Sequence, residues 1–321
     1  MLRRKGIDLA DKKVLITKFE GSQQEADLSE PPNCGGLGRL RHFRRATSIG
    51  WPSNPLPIDP ARNALGLKPS DEILAQAFQD AICDWRCWYC YVPFEMLSAN
   101  QRHSEWVTAS ELVDRFSLDD RRAPMIDLTG GQPDLVPEWT LWMMEALIER
   151  GLSETTYIWV DDNLSSDYFW RFLSGDQIDF IQSYPKYGRV GCFKGFDSES
   201  FSFNTAAKPE LFDRQFEIFA RHLASGVDCY AYVTLTTPSG NGIDAKMGQF
   251  LDRLQGISEN LPLRTVPLEI VKWGPVDHRL NDERKAALSL QYQAVEAWQR
   301  EVARRFTAEM RALPIHDVPV R

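Results

Sequence analysis

The chain has 321 residues, 43% of them apolar, with a formal net charge of −8. That length can bury a substantial core as one large domain, and the acidic balance argues against broad electrostatic binding to nucleic acid, without excluding a local contact. No apolar run approaches the roughly 20 residues of a membrane span, and the basic start Met1-Leu-Arg-Arg-Lys-Gly6 leads into no apolar segment, so no signal peptide and no membrane partner are expected. Residues 1–70 read as irregular and rich in Pro, Gly and Arg, with one short strand at Val14–Thr17. From about residue 74 the pattern becomes regular. Ala75–Phe78 leads into a cysteine-bearing loop. Thr108-Ala-Ser-Glu111 is a capping box for a helix over Leu112–Phe116. Met125–Thr129 reads as a strand ending in Gly130-Gly131-Gln132-Pro133, and Pro137–Arg150 as a helix closed by Gly151. A strand is expected at Tyr157–Asn163, a short helix at Ser166–Leu173 and a strand at Arg189–Gly195. The helix Pro209–Ala224, the strand Cys229–Thr236, the helix Ile243–Gly256 and a sixth strand Thr265–Trp273 follow. A long charged helix over Asp282–Leu313 closes the chain.

Strands alternating with helices imply an α/β fold, a parallel sheet with helices outside it and functional groups at the carboxyl ends of the strands. Strand parity separates the two faces. Ile126 and Leu128 pack outward, and Asp127 and Thr129 look in. Ile158, Val160 and Leu164 form an apolar set, leaving Trp159, Asp161 and Asn163 inward. Val190, Cys192 and Lys194 share a face. Tyr230, Tyr232, Thr234 and Thr236 look in, whereas Cys229, Ala231, Val233 and Leu235 look out. On the sixth strand Val266, Leu268 and Ile270 are expected outward, with Glu269 and Trp273 facing the interior. So many inward polar and aromatic groups favour a ligand cavity over an ordinary packed core.

Six cysteines are present, and three of them, Cys83, Cys87 and Cys90, are spaced C-x3-C-x2-C. Thiols this close in sequence suit metal chemistry in a reducing compartment better than a disulfide framework. One reading is a helical stripe, since i, i+4 and i+7 share a face; Trp85, Trp88, Tyr89 and Tyr91 leave that helix no polar side. A second is structural zinc, which prefers C-x2-C pairs closed by a fourth ligand; the next histidine is His103 and no second pair exists. The third is a four-iron cluster with three protein ligands and one iron open to a substrate or cofactor.

With an aromatic residue before the last cysteine, C-x3-C-x2-C resembles the signature of the radical S-adenosylmethionine (SAM) enzymes. The resemblance implies a 4Fe-4S cluster on Cys83, Cys87 and Cys90. SAM would chelate the open iron and be cleaved by one electron to a 5′-deoxyadenosyl radical, which abstracts hydrogen from a substrate. It also implies a partial (β/α)6 TIM-like barrel over residues 74–275, packed by an N-terminal extension over 1–73 and followed by a C-terminal helix and tail over 276–321. A low-potential electron donor such as flavodoxin or ferredoxin and a cytoplasmic location go with it. Gly130-Gly131-Gln132-Pro133 resembles the family's Gly-Gly-Glu-Pro turn, whose backbone meets the SAM amino group; Gln132 departs from the glutamate and loses a charge. By the same likeness Tyr89 lies near the adenine, Asp161 and Asn163 meet the ribose or methionine, and Lys194 binds the SAM carboxylate. The segment Lys194-Gly-Phe-Asp197 is similar to the activating-enzyme branch, which implies an oxidoreductase-type chemistry and leaves the substrate open.

The run from Gly35 to Arg45 lies outside that resemblance. Its glycines and clustered guanidinium groups suit anion recognition, with Arg41 and Arg44 gripping a substrate, although a solvated basic face is the simpler account. Tyr232, Thr234, Glu269 and Trp273 complete the expected substrate wall. Cys192, facing inward, is a candidate hydrogen donor to a substrate radical, against the simpler role of a small buried thiol. The substrate is thus a protein or peptide, or alternatively a nucleoside, nucleotide or other small anionic molecule. A third reading is a cluster-bearing scaffold that binds SAM without turning it over.

Overall fold

The computed structural model describes residues 2–119 and 121–320. Among the described residues, ten strands form two sheets. β1 (Ile7–Asp8), β2 (Lys13–Thr17) and β5 (Ser104–Thr108) make a small antiparallel sheet. The main sheet contains β3 (Gly38–Arg44), β4 (Glu72–Gln79), β6 (Met125–Thr129), β7 (Tyr157–Asp162), β8 (Tyr187–Phe193), β9 (Cys229–Thr234) and β10 (Thr265–Leu268). Its order is β10-β9-β8-β7-β6-β4-β3. The six strands from β4 to β10 run parallel in chain order, and β3 adds to β4 antiparallel. This is the partial (β/α)6 arrangement: sequential parallel strands joined by helical crossovers, left open between the edges β3 and β10.

The two faces of the sheet are apolar for different reasons. Outward, Ile126, Leu128, Ile158, Val160, Phe193, Ala231 and Val233 pack under the helices. Inward, Met125, Tyr157, Trp159, Val190, Tyr230 and Tyr232 form a second core. Trp159 lies between Tyr157 and Tyr230, with ring centroids at 6.4 and 5.7 Å. This aromatic layer floors the barrel, so the polar inward residues sit above it, toward the carboxyl ends of the strands. The loop after β4 and the turn after β6 open onto that end.

Several expectations change. The basic run, read within an irregular segment, is a strand: Arg39 to Arg44 belong to β3, paired residue for residue with Glu72–Ala77. Alternation within 38–44 suffices for a strand once β4 offers a free edge. β10 stops at Leu268, so Glu269 to Trp273 lie outside the sheet, and Val266 joins the inner core instead of packing outward. Two helices, Gly175–Ser183 and Ser198–Thr205, occupy connections read as irregular; each opens with a side-chain capping box. The last long helix ends at Arg305, followed by a separate turn at Ala308–Arg311. The Thr108 box forms as read: the Glu111 amide donates to Thr108 Oγ1 at 3.1 Å, and the Thr108 amide donates to Glu111 Oε2 at 2.7 Å. No helix among the described residues is long and apolar enough to cross a membrane.

Candidate functional site

The cysteine loop is held rigidly from three sides. The amide of Cys83 donates to the Leu97 carbonyl at 3.1 Å. The amides of Arg86 and Trp88 donate to the carbonyls of Thr205 and Asn204, both at 3.1 Å. Arg279 donates to the carbonyls of Cys90 at 2.6 Å and Val92 at 2.8 Å. Cys83 and Cys87 are buried and Cys90 is half-buried, all as free thiols. Burial pushes the Cys87 thiol up to about 11 and raises Cys83 and Cys90 as well. Without a bound cation these groups are therefore neutral thiols at pH 7, and only a bound soft metal would supply the charge that stabilises thiolates. Among the described residues, the trio of candidate ligands with donor atoms all within 4.8 Å is Asp134, Asp162 and His222, and the three cysteines do not meet that spacing.

The Gly130–Gly131 turn lies directly against this loop. Gly130 has φ +90°, and a Cβ there would run into the Gln79 side chain; one on Gly131 would collide with the Ile82 and Asp80 carbonyls. The Gln132 amide donates to the Ile82 carbonyl at 2.8 Å. The Gln132 side chain is fully buried. Its Nε2 donates to Asp162 Oδ1 at 2.7 Å, and its Oε1 accepts the Asn163 amide at 2.8 Å. Gln132 is therefore a buried structural link whose amide, carbonyl and side chain are all engaged within the fold. A glutamate here would set a second carboxylate against buried Asp162, which explains the glutamine physically.

Asn163 closes the circuit to the cysteines: its Nδ2 donates to Cys83 Sγ at 3.3 Å. Lys194, at the end of β8, faces the thiols. Burial works against its ammonium, but Cys192, Cys87, Cys83 and Cys90, once ionised to thiolates, outweigh burial and raise its pKa above the ordinary lysine value. Tyr89 is brought onto the wall, its OH 3.0 Å from Thr234 Oγ1. Cys192 is buried beside this group, its thiol pushed up to about 12 by burial. Cys83, Cys87, Cys90, Gly130, Gly131, Asn163, Lys194, Tyr89, Thr234 and Cys192 are thus gathered at one end of the sheet.

Other expected residues are placed differently. The Tyr232 hydroxyl is lower on the inner wall, donating to the Leu56 carbonyl at 3.1 Å and accepting from Asn54 Nδ2 at 3.1 Å. Glu269 accepts the Ser48 amide at 3.2 Å and the Tyr292 hydroxyl at 3.1 Å, and Trp273 is 46% exposed at the start of a short helix. Arg44 is exposed on the face of β3 opposite to Arg41. Arg41 is already engaged: Nη1 donates to Asp127 Oδ2 at 2.9 Å and lies 3.8 Å from Asp161 Oδ2. Asp161 also accepts from Thr129 Oγ1 at 2.6 Å.

Sequence reasoning missed the support beneath the turn. Arg189 Nη1 donates to Asp134 Oδ2 at 2.6 Å and Asp162 Oδ2 at 3.2 Å, with His222 Nε2 3.4 Å from both. All four side chains are buried. The guanidinium occupies the cation position between the carboxylates, so this trio is an ionic lock and not a metal centre. Burial would raise the Asp162 pKa, but His222 and Arg189 outweigh it and hold the carboxyl below the usual range. The partners come from four separate elements, and only the inward or outward parity of Asp162 and Arg189 was available to signal them.

No family model matches the chain, and no curated protein matches it. Among solved structures, Streptococcus suis SuiB bound to precursor peptide SuiA is similar over 54% of this chain and 35% of that one, at 15% identity and a TM-score of 0.37. SuiB bound to S-adenosylmethionine matches over 54% and 36%, at 15% identity and a TM-score of 0.36. A spore photoproduct lyase mutant matches over 70% and 72%, at 10% identity and a TM-score of 0.44. The chain thus spans about a third of the length of SuiB.

Proposed function

We propose that this protein is a radical SAM enzyme: Cys83, Cys87 and Cys90 hold a 4Fe-4S cluster, and the site above the barrel uses it on SAM and a substrate. The observation that carries the reading is the convergence of three buried thiols with the Gly130–Gly131 turn at the carboxyl end of the parallel sheet, joined through Asn163 on Cys83 Sγ at 3.3 Å. When bound, a three-cysteine cluster supplies one electron for reductive cleavage of SAM, and that chemistry belongs to the cofactor. The protein binds, orients and shields. The Gly130 and Gly131 backbone allows close approach of the methionyl amine. Lys194 offers a cation for its carboxylate, Asn163 and Asp161 offer polar groups to the methionine or ribose, and Tyr89 offers an aromatic wall for the adenine. Trp85 and Trp88 close the loop against water. Cys192 stands near enough to this wall to act as a hydrogen donor. We further assign residues 74–275 to the barrel, an external low-potential electron donor as partner, and a cytoplasmic location.

The test is anaerobic reconstitution. The parent should bind about four irons per chain and show a paramagnetic signal, after reduction, that changes when SAM is added. C83A, C87A and C90A should each abolish it. With dithionite the parent should release 5′-deoxyadenosine. Protein isolated without oxygen that carries one zinc and no iron would overturn the reading. An intact SAM-bound cluster that never yields deoxyadenosine, whatever the reductant, would favour a non-catalytic scaffold.

A further inference from the structure

The inner wall carries a charge group of which two members, Arg41 and Asp127, lie outside the proposed cluster and SAM contacts, and the third, Asp161, adjoins them. Asp127 from β6, Asp161 from β7 and Arg41 from β3 meet above the aromatic floor. Asp127 is fully buried, whereas Asp161 and Arg41 keep 27% and 30% of their side chains exposed. Two carboxylates thus face one guanidinium. Arg41 Nη1 takes Asp127 Oδ2, but Asp127 Oδ1 is buried with no hydrogen-bond partner. Around them lie Trp159, Phe43 and Tyr232 of the inner core, with the Arg41 guanidinium 4.1 Å from the Phe43 ring centroid. An anion entering here would meet the two carboxylates. It would also have to compete for an arginine that is already paired. A buried carboxylate oxygen lacking a donor costs free energy that a ligand donor recovers.

We propose that the Arg41–Asp127–Asp161 group is a recognition site for a cationic nitrogen, an ammonium or guanidinium on the substrate, held by the two carboxylates and oriented by Arg41. The inference rests on the functional reading above and adds the substrate's charge. It reverses the anion preference that the arginine run suggests in sequence. Asp161, half open, takes the approaching cation first. Asp127 then supplies the buried acceptor, and the aromatic floor packs the aliphatic stem that carries the charge.

Calorimetry on anaerobic, reconstituted, SAM-saturated protein tests it. The probes are a capped hexapeptide with one central lysine, its norleucine and glutamate twins, and free n-butylamine. The SAM-dependent change in the cluster signal is checked first in the same sample. Its absence sinks the functional reading, whereas its presence lets the charge question be decided separately. The lysine peptide or butylamine should bind about ten- to a hundredfold more tightly than the uncharged or acidic twin. A preference confined to the peptide assigns a polypeptide side chain, and one shared by butylamine assigns a small amine. D127N should erase the preference; if D127N does not fold, D161N replaces it, read only where its SAM-dependent cluster signal matches the parent's, because Asp161 also adjoins the SAM contacts. Equal binding of all probes, or tighter binding of the glutamate peptide, overturns the inference. So does a D127N variant that loses SAM affinity yet keeps the cation preference, since the group would then serve the cofactor.

Discussion

A single buried carboxyl can make its presence felt in the stability of the whole chain. Burial first, and the neighbouring Asp161 charge second, push the Asp127 carboxyl up to about 7 against the opposing pull of Arg41 and Arg39. The ordinary aspartate value is about 3.9. Between those limits the folded state keeps a proton that the unfolded state has released. Stability therefore falls as pH rises through that window and levels off above about pH 7, with a slope of up to about 1.4 kcal/mol per pH unit. Asp162 acts oppositely and elsewhere: held below the usual range, it loses its stabilisation only as pH falls below about 4. D127N should remove the upper slope, leaving a variant less sensitive than the parent between pH 4.5 and 7. Urea midpoints measured across that range without oxygen decide it, and parallel curves for the two proteins would refute the assignment. Strand parity was enough to turn Asp127 inward. Its pairing with Arg41 was not legible, because Arg41 lies 86 residues away on a strand that composition disguised.

At the scale of elements, alternation of period-two and helical segments gave the parallel strands in their order, with bounds that shift at Tyr187–Phe193 and fall well short of the reading at Thr265–Leu268. Met125–Thr129 is a strand with the bounds its pattern suggests. What failed was short or polar. The helix Ser198–Thr205 has almost no apolar stripe and owes its start to the Asp197 cap. Yet it holds the cysteine loop. Asn204, fully buried, accepts from Trp88 Nε1 at 3.1 Å and Thr236 Oγ1 at 2.8 Å. Its Nδ2 donates to the carbonyls of Lys194 at 2.8 Å and Thr236 at 3.0 Å. All four hydrogen-bonding positions of the amide are used. N204A would leave several buried polar groups unmatched, at about 1–3 kcal/mol each and less than additively. We expect a loss of about 3 kcal/mol or more, together with reduced iron retention. Unfolding at the parent's urea midpoint with full iron content would show that the helix is not a support.

Across the whole molecule, the cysteine loop is fastened by parts of the chain that sequence distance hides. Thr205 and Asn204 hold it from one side, and Arg279, 189 residues beyond Cys90, holds it from another. The sequence suggested where the thiols lie because their spacing is local. It could not suggest the clamp, since an arginine before a long charged helix reads as solvated surface. In the fold its guanidinium lies 3.7 Å from the Phe94 ring centroid while donating to two loop carbonyls. Global stability depends on such a half-buried contact less than local opening of the loop does. R279M keeps the apolar stem on Phe94 and removes both donors. Its unfolding free energy should drop by only about 1–2 kcal/mol, while iron loss to a chelator should accelerate about tenfold, because loop opening precedes release. R279K should recover only part of that, since one ammonium cannot span two carbonyls in the fixed geometry of a guanidinium. Iron release followed by absorbance, alongside urea unfolding of the same samples, separates the two effects. A tenfold faster release that simply tracks an equally large global destabilisation would mean that Arg279 supports the fold and not the loop.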